Sequence, residues 1–182
     1  MRIFSKISKY STNVKKLNKT RREDYRKRIC NAPFNSLRFE PTGFVKTCCY
    51  GNDILGKWPE NSIDDVLKCQ KIRKLQDAVQ KNKLPENCDI CRLNLFSGNI
   101  NNLKIKDFDQ QITPGSSKIQ RMEFSLENTC NLKCIMCSDY KSNNHNKNSK
   151  PEPVYNTNFL EQLLPYIPGL KTALFLGGEP LV

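Results

Sequence analysis

Apolar and polar positions alternate early in the chain, on both sides of a turn-forming stretch at residues 41–43. The apolar positions are Leu37, Phe39 and Val45. Short alternating runs that flank Pro-Thr-Gly predict a β-hairpin within residues 29–50. Pairing across this turn is expected to bring Cys48 back toward Cys30.

A helical period follows a loop at residues 51–60. Ser62 is a suitable N-cap, and the two aspartates that follow Ile63 suit a first helical turn. Apolar side chains then recur at approximately helical spacing, at Ile63, Val66, Leu67, Ile72, Leu75 and Val79. The pattern predicts one helix that begins after Ser62 and ends before Pro85. Cys69 lies within it and is expected to be a small buried apolar residue.

The C-terminal part of the chain alternates between strand and helix patterns. Residues 122–126 predict a strand that leads into a cysteine-rich loop. A polar surface loop over 141–153, a helix over 158–166 and a buried strand over 173–176 follow. Strand, loop, helix and strand form a βαβ pattern, which predicts two parallel neighbouring strands.

Composition divides the chain into four segments. They are a basic tail (1–28), a cysteine-rich domain (29–96), a linker rich in Asn, Lys, Ser and Gln (97–118), and a βαβ segment (119–182). The net charge of +12 is concentrated in the tail, which has 11 basic and 2 acidic side chains. We interpret the tail as a solvated or loosely helical segment. A contact with nucleic acid or an anionic surface, and a transit peptide, are the alternatives.

The chain has 182 residues and a mean hydropathy of -0.63, and it holds no run of 18 apolar residues. A membrane span is therefore excluded, and the basic N-terminus lacks the apolar region of a secretory signal. Nine cysteines, an odd number, make a disulfide framework improbable. We expect metal or cluster chemistry in a reducing cytoplasm.

Cys130, Cys134 and Cys137 form the clearest chemical motif. Three thiolates within eight residues can hold three corners of a four-iron cluster, which leaves one iron open. An open iron suits a cluster that binds a small molecule, whereas a pure electron carrier is closed by a fourth cysteine. The alternative is a structural zinc site in which His145 is the fourth ligand.

A resemblance to the radical S-adenosylmethionine (SAM) enzymes is carried by residues 130–137, which read Cys-Asn-Leu-Lys-Cys-Ile-Met-Cys. The resemblance implies that the open iron of a [4Fe-4S] cluster chelates the amino and carboxylate groups of SAM. One electron then breaks a carbon–sulfur bond, and a 5′-deoxyadenosyl radical abstracts hydrogen from a substrate. Met136 stands where the family often has an aromatic residue beside the adenine.

The second strand of the predicted βαβ unit runs into Gly177, Gly178, Glu179 and Pro180. Two glycines let a backbone approach a ligand closely, and a glutamate offers an anion to an ammonium group. Ligands gather at the carboxyl ends of parallel strands. In radical SAM enzymes a motif of this form binds the methionine amino group of SAM, and the resemblance implies the same role here.

Four upstream cysteines form a second set: Cys30, Cys48, Cys88 and Cys91. Together with Gly43 they resemble the SPASM and twitch domains of radical SAM enzymes, which carry auxiliary iron–sulfur clusters. No further cysteine stands between Cys91 and Cys130, so the resemblance implies a twitch form with one four-ligand [4Fe-4S] cluster. Zinc is the alternative metal. Cys49 is an alternative ligand to Cys48, although the Gly-x4-Cys spacing favours Cys48.

The fold class implied is α/β, with a small cysteine-rich α+β domain before the start of a parallel (β/α) partial TIM barrel. The implied activity is a radical SAM oxidoreductase that modifies a peptide or small molecule. Its implied electron donor is a flavodoxin or ferredoxin, and neither a membrane nor nucleic acid is an expected partner.

Only 62 residues remain from Arg121 onward, whereas a six-unit barrel needs roughly 190. We therefore expect a C-terminally truncated chain that is inactive by itself. The alternative function is a non-catalytic, zinc-binding, cysteine-rich module whose basic tail contacts nucleic acid.

Overall fold

The structure is a computed structural model. It describes residues 2–110, 113–114, 116, 118–132, 134–135, 137 and 154–179, with side chains from residue 9 onward except at residue 110.

Within these ranges the chain forms seven α-helices and five β-strands. The helices are α1 (Arg2–Lys19), α2 (Ala32–Asn35), α3 (Ile63–Lys68), α4 (Gln70–Gln80), α5 (Asp89–Ser97), α6 (Ile105–Gln110) and α7 (Thr157–Leu163). The strands are β1 (Ser36–Phe39), β2 (Phe44–Lys46), β3 (Gly56–Lys57), β4 (Arg121–Ser125) and β5 (Thr172–Leu176). Short 3-10 turns occupy Glu23–Tyr25, Ile100–Asn102 and Ile167–Gly169.

The five strands form one mixed sheet in the order β3-β2-β1-β4-β5. β1 and β2 are antiparallel, as are β2 and β3. β1 and β4 are parallel, with Leu37 opposite Met122, and β4 and β5 are parallel, with Phe124 opposite Phe175. Strands from both sides of the predicted linker therefore share one sheet, and β1, β4 and β5 end at the same edge.

Aromatic side chains build the main core on one face of this sheet. Phe159 of α7 is fully buried, and its ring centroid lies 4.9 Å from that of Phe39 and 5.4 Å from that of Trp58. Phe39 also stacks on Phe124 with a centroid distance of 5.6 Å. α3 and α4 cover the same core through Ile63, Val66 and Ile72.

A second core lies between α1 and α5. Leu17 of α1 and Leu95 of α5 have no exposed surface. Just after α1, Arg21 forms a buried bidentate ion pair with Asp109 of α6, with N–O distances of 2.6 and 2.9 Å. α1 bears out the expectation of a helical segment within residues 1–28, but the expectation of a solvated tail is wrong around Val14 and Leu17, which are buried.

The structure confirms the predicted hairpin, the strand before Cys130 and the parallel pairing of the last two strands. The single helix predicted after Ser62 is wrong, because extended backbone at Cys69 separates α3 from α4. The five-residue step from Leu67 to Ile72 exceeds the spacing of one helical face, and this step was the available signal of the break.

The predicted strand over 173–176 forms as part of β5, but the expectation that it is buried is wrong. Phe175 is 64% exposed and Leu176 is 40% exposed. Both side chains stay exposed because β5 is the edge strand among the strands that the structure describes. Part of the predicted linker also packs, since Leu103, Ile105 and Phe108 are buried in and beside α6.

No helix among the described residues is long and apolar enough to cross a bilayer. The division into domains and the partial barrel stay predictions.

Candidate functional site

Four thiols line one cavity at the junction of the hairpin, α5 and α6. Its lining consists of Cys30, Cys48, Cys88, Cys91, Tyr50, Gly51, Leu84, Lys104, Ile105 and Phe108. Cys30 lies just before α2, and Cys48 follows β2. Cys88 occupies the N-cap position of α5 and Cys91 lies in its first turn, so their i, i+3 spacing puts both thiols on one side of the helix. The fold therefore brings together the four cysteines of the upstream set.

These thiols share one electrostatic environment. Burial raises the pKa of all four, and the negative charge of other thiolates in the set raises the pKa of Cys30, Cys48 and Cys88 further. The pKa of Cys88 rises to about 12. Metal binding requires the thiolate forms, and a polynuclear cation supplies the positive charge that four thiolates in an apolar cavity need.

Backbone amides hydrogen bond to three of the four thiols. The donors are Ala32 to Cys30, Tyr50 and Gly51 to Cys48, and Lys104 to Cys91. Each of these bonds lowers the pKa of its thiol and opposes the effect of burial. The positive charge of Lys104 acts in the same direction on the pKa of Cys91. Such N–H···S bonds stabilise the thiolate ligands of iron–sulfur clusters, and the residues present therefore fit one.

The two adjacent cysteines of the hairpin have different surroundings. Cys48 lines the cavity, where a Cβ atom at Gly51 would lie 3.4 Å from its Sγ. Cys49 is exposed and lies outside the lining. Although the residue as a whole is exposed, surrounding atoms partly shield its thiol from water, and this desolvation, followed by the negative charge of Glu123, raises its pKa to about 11.

Buried charges on β1 and β4 lie beside this hairpin loop and were missed by the sequence reasoning. Glu123 is 1% exposed and accepts hydrogen bonds from Arg38, at 3.0 Å, and from Arg121, at 2.7 Å. The signal was present, because these charged residues alternate with apolar ones along both strands. Lys104 was missed as well, since only the folded chain brings it to the cavity, and so was Tyr50, although it follows Cys48 by two residues.

The downstream cysteines lie in the loop after β4. The backbone N of Leu132 donates to Sγ of Cys130 at 3.4 Å, and N of Cys137 donates to O of Cys134 at 2.9 Å. Cys134 is exposed, whereas Cys130 and Cys137 are half-buried. Met136 and His145 lie outside the described residues.

The segment after β5 contacts the start of this loop directly. N of Glu179 donates to O of Thr129 at 2.8 Å, and N of Gly178 donates to O of Glu127 at 3.4 Å. A Cβ atom at Gly178 would lie 1.9 Å from O of Thr129, and one at Gly177, where φ is +126°, would lie 2.3 Å from O of Glu127. Both glycines are thus needed for contact with the chain's own backbone. Pro180 lies outside the described residues.

A cavity of about 190 Å³ opens where β4 and β5 end. Its lining residues are Phe124, Leu126, Glu127, Thr129, Phe175, Leu176, Gly178 and Glu179. It lies at the carboxyl ends of two parallel strands, the position at which such sheets bind ligands.

Across the described parts of the chain, no three His, Cys, Asp or Glu side chains are grouped closely enough to hold a single metal ion. The ligand assignments of both cysteine sets stay predictions.

Comparison with known proteins finds one family model that matches part of the chain. Residues 30–92 match the model of the SPASM family, described as an iron-sulfur cluster-binding domain. The match spans all four cysteines of the cavity and ends before the downstream set. It supports an iron–sulfur cofactor in this part of the chain. No curated protein and no solved structure matched the chain.

Proposed function

We propose that this chain is a radical SAM enzyme, or the N-terminal part of one, that starts the radical modification of a peptide or small molecule. The observation that carries the proposal is the contact between the Gly178–Glu179 backbone and the loop that leads into Cys130. This contact brings the two parts of the radical SAM resemblance to one edge of the sheet. The SPASM match upstream gives independent support, because that domain is typical of radical SAM enzymes.

In this proposal Cys130, Cys134 and Cys137 hold a [4Fe-4S] cluster with one open iron. Such a cluster supplies the electron that cleaves SAM, and a flavodoxin or ferredoxin supplies that electron in turn. Glu179 and the backbone beside it bind the amino group of SAM, with Met136 next to the adenine. The cavity at the ends of β4 and β5 provides adjacent space for the ligand.

Cys30, Cys48, Cys88 and Cys91 hold the auxiliary cluster. Amide donors and Lys104 favour their thiolate forms, and the apolar lining from Leu84, Ile105 and Phe108 keeps water away. A cluster with four protein ligands is closed and serves as an electron relay or as an anchor of the fold. The start of a partial barrel around β4 and β5, and a cytoplasmic location, belong to the same proposal.

Anaerobic reconstitution of the chain tests this proposal. We expect about eight irons and eight sulfides per chain, as two four-iron clusters require. The EPR spectrum of the reduced protein is expected to change when SAM is added. Replacing the three downstream cysteines by Ala removes about half of the iron and abolishes the response to SAM. Replacing the four upstream cysteines removes the other half.

Cys69→Ser provides the matched control. Cys69 belongs to neither set, and its Sγ accepts a hydrogen bond from N of Ile72 that a serine hydroxyl would also accept. This variant keeps the full iron content. Stoichiometric zinc in place of iron would overturn the proposal in favour of a zinc-binding module. If iron is bound but its EPR signal does not change when SAM is added, the proposed enzymatic activity is overturned. The chain would then be a cluster-binding protein.

A further inference from the structure

A groove of about 840 Å³ runs between α1, the turn after α4 and α5. Leu84 lines both this groove and the cavity of the four thiols, so the two spaces are neighbours. We infer that the groove binds an acidic peptide segment that inserts an apolar side chain. The inference goes beyond the proposed function and rests on the shape, the apolar floor and the charge of the groove.

The floor of the groove is apolar and held in place. Val14 and Leu84 are 9% and 8% exposed, and the rings of Tyr10 and Phe96 pack with their centroids 5.1 Å apart. The Tyr10 hydroxyl donates to O of Asn82 at 3.2 Å and accepts from N of Leu84 at 3.0 Å. A preformed apolar floor favours a ligand that supplies an aliphatic or aromatic anchor.

The rim of the groove is basic. Lys15, Lys81 and Lys83 are exposed, and Arg92 completes the set. No acidic residue belongs to the described lining of the groove, and Nη2 of Arg92 lies 3.6 Å from Oδ1 of Asp89 just outside it. Charge complementarity therefore selects a partner with several carboxylates.

The apolar floor and the basic rim together favour a peptide over nucleic acid. One short acidic peptide supplies carboxylates for the rim and an aliphatic or aromatic side chain for the floor. A phosphodiester backbone supplies negative charge but no such apolar anchor.

Selection from a random library of 12-residue peptides displayed on phage, with the intact reconstituted chain as target, tests the inference. The selected peptides are synthesised with a fluorescein label, and their Kd is measured by anisotropy. We expect them to combine net negative charge with one aliphatic or aromatic anchor. Their affinity is expected to fall as salt rises, because the contacts of the rim are screened.

The double variant Lys81→Glu/Lys83→Glu is expected to weaken binding at least about tenfold, since it reverses two charges of the rim. The control is Lys171→Glu, which makes the same change at an exposed lysine before β5. It is expected to alter Kd by less than about twofold, because that lysine lies outside the groove. Circular dichroism confirms that both variants fold.

The inference is overturned if the selected peptides are neutral or basic, or if the double variant binds them as well as the parent. It is also overturned if a labelled 20-nucleotide RNA binds at the groove and displaces them. Self-association in sedimentation experiments that the double variant abolishes would assign the groove to a second copy instead. The assay measures binding rather than turnover, so its failure is distinct from a failure of the iron and EPR measurements.

Discussion

Gly178 contacts the loop before Cys130 so closely that one methyl group would force the two segments apart. A Cβ atom there would lie 1.9 Å from O of Thr129. We expect Gly178→Ala to destabilise the protein by about 1–3 kcal/mol, the usual cost of overpacking. Displacement of the loop is also expected to remove the downstream half of the bound iron. Thermal unfolding and iron analysis measure the two effects.

Gly169 provides the control for this substitution, since a Cβ atom there would lie 3.5 Å from O of Ile119, an ordinary contact distance. Gly169→Ala is expected to leave both the melting temperature and the iron content close to those of the parent. If Gly178→Ala behaves like the control, the close packing of the two segments does not position Cys130.

At the residue scale, the spacing of nearby residues predicted which side chains lie together. The sequence did not predict contacts between residues far apart in the chain. The step from Cys88 to Cys91 spans one helical turn, so the sequence alone places both thiols together. Lys104 reaches the same cavity from a segment predicted as a linker. Glu123 accepts a hydrogen bond from Arg38, which lies 85 residues earlier in the chain. Neither contact leaves a local pattern, because each depends on how remote segments pack.

At the scale of elements, α7 is attached to the sheet through one side chain above all. Phe159 has no exposed surface and packs against the rings of Phe39, Trp58 and Tyr155. Phe159→Ala is expected to lower the free energy of unfolding by about 3–5 kcal/mol, as for other buried phenylalanines. Denaturant titration measures this loss.

The next residue, Leu160, supplies a control at a solvent-exposed position of the same helix. It is 58% exposed, and Leu160→Ala is expected to change stability by less than about 0.5 kcal/mol. Equal losses in the two variants would mean that α7 is not docked on the sheet through Phe159.

The hairpin and the βαβ unit were predictable because their turns and apolar alternation are local. The break between α3 and α4 was harder to predict, since Cys69 carries no strong signal for a helix end. Its Sγ accepts a hydrogen bond from N of Ile72, a capping role that serine, threonine or aspartate fills more often. The exposure of β5 was not predictable from its apolar sequence, because burial of an edge strand depends on its neighbours.

At the scale of the whole molecule, the sheet contains strands from two of the segments that composition separated. β1 belongs to the predicted cysteine-rich domain, yet its neighbours are β2 on one side and β4 on the other. α1 covers α5 from outside the same domain. Residues 29–96 alone would therefore expose the edge of β1 and the buried face of Leu95.

We expect a polypeptide of residues 29–96 to lack the cooperative unfolding transition of the intact chain. Circular dichroism during heating, with the intact chain as reference, makes the comparison. Proton NMR spectra of the two proteins add a second readout. A sharp transition and well-dispersed amide signals from the short polypeptide would show instead that the predicted domain folds independently.

The pairing of β1 with β4 also sets an order of events during synthesis. A ribosome releases residues 36–39 about eighty residues before residues 121–125. During that interval one edge of the nascent hairpin has no partner, and such edges attract other chains. All residues that line the cavity of the four thiols have emerged before residue 121, while the strand that pairs with β1 has not. The hairpin that leads to Cys48 is therefore expected to reach its full stability only when β4 emerges.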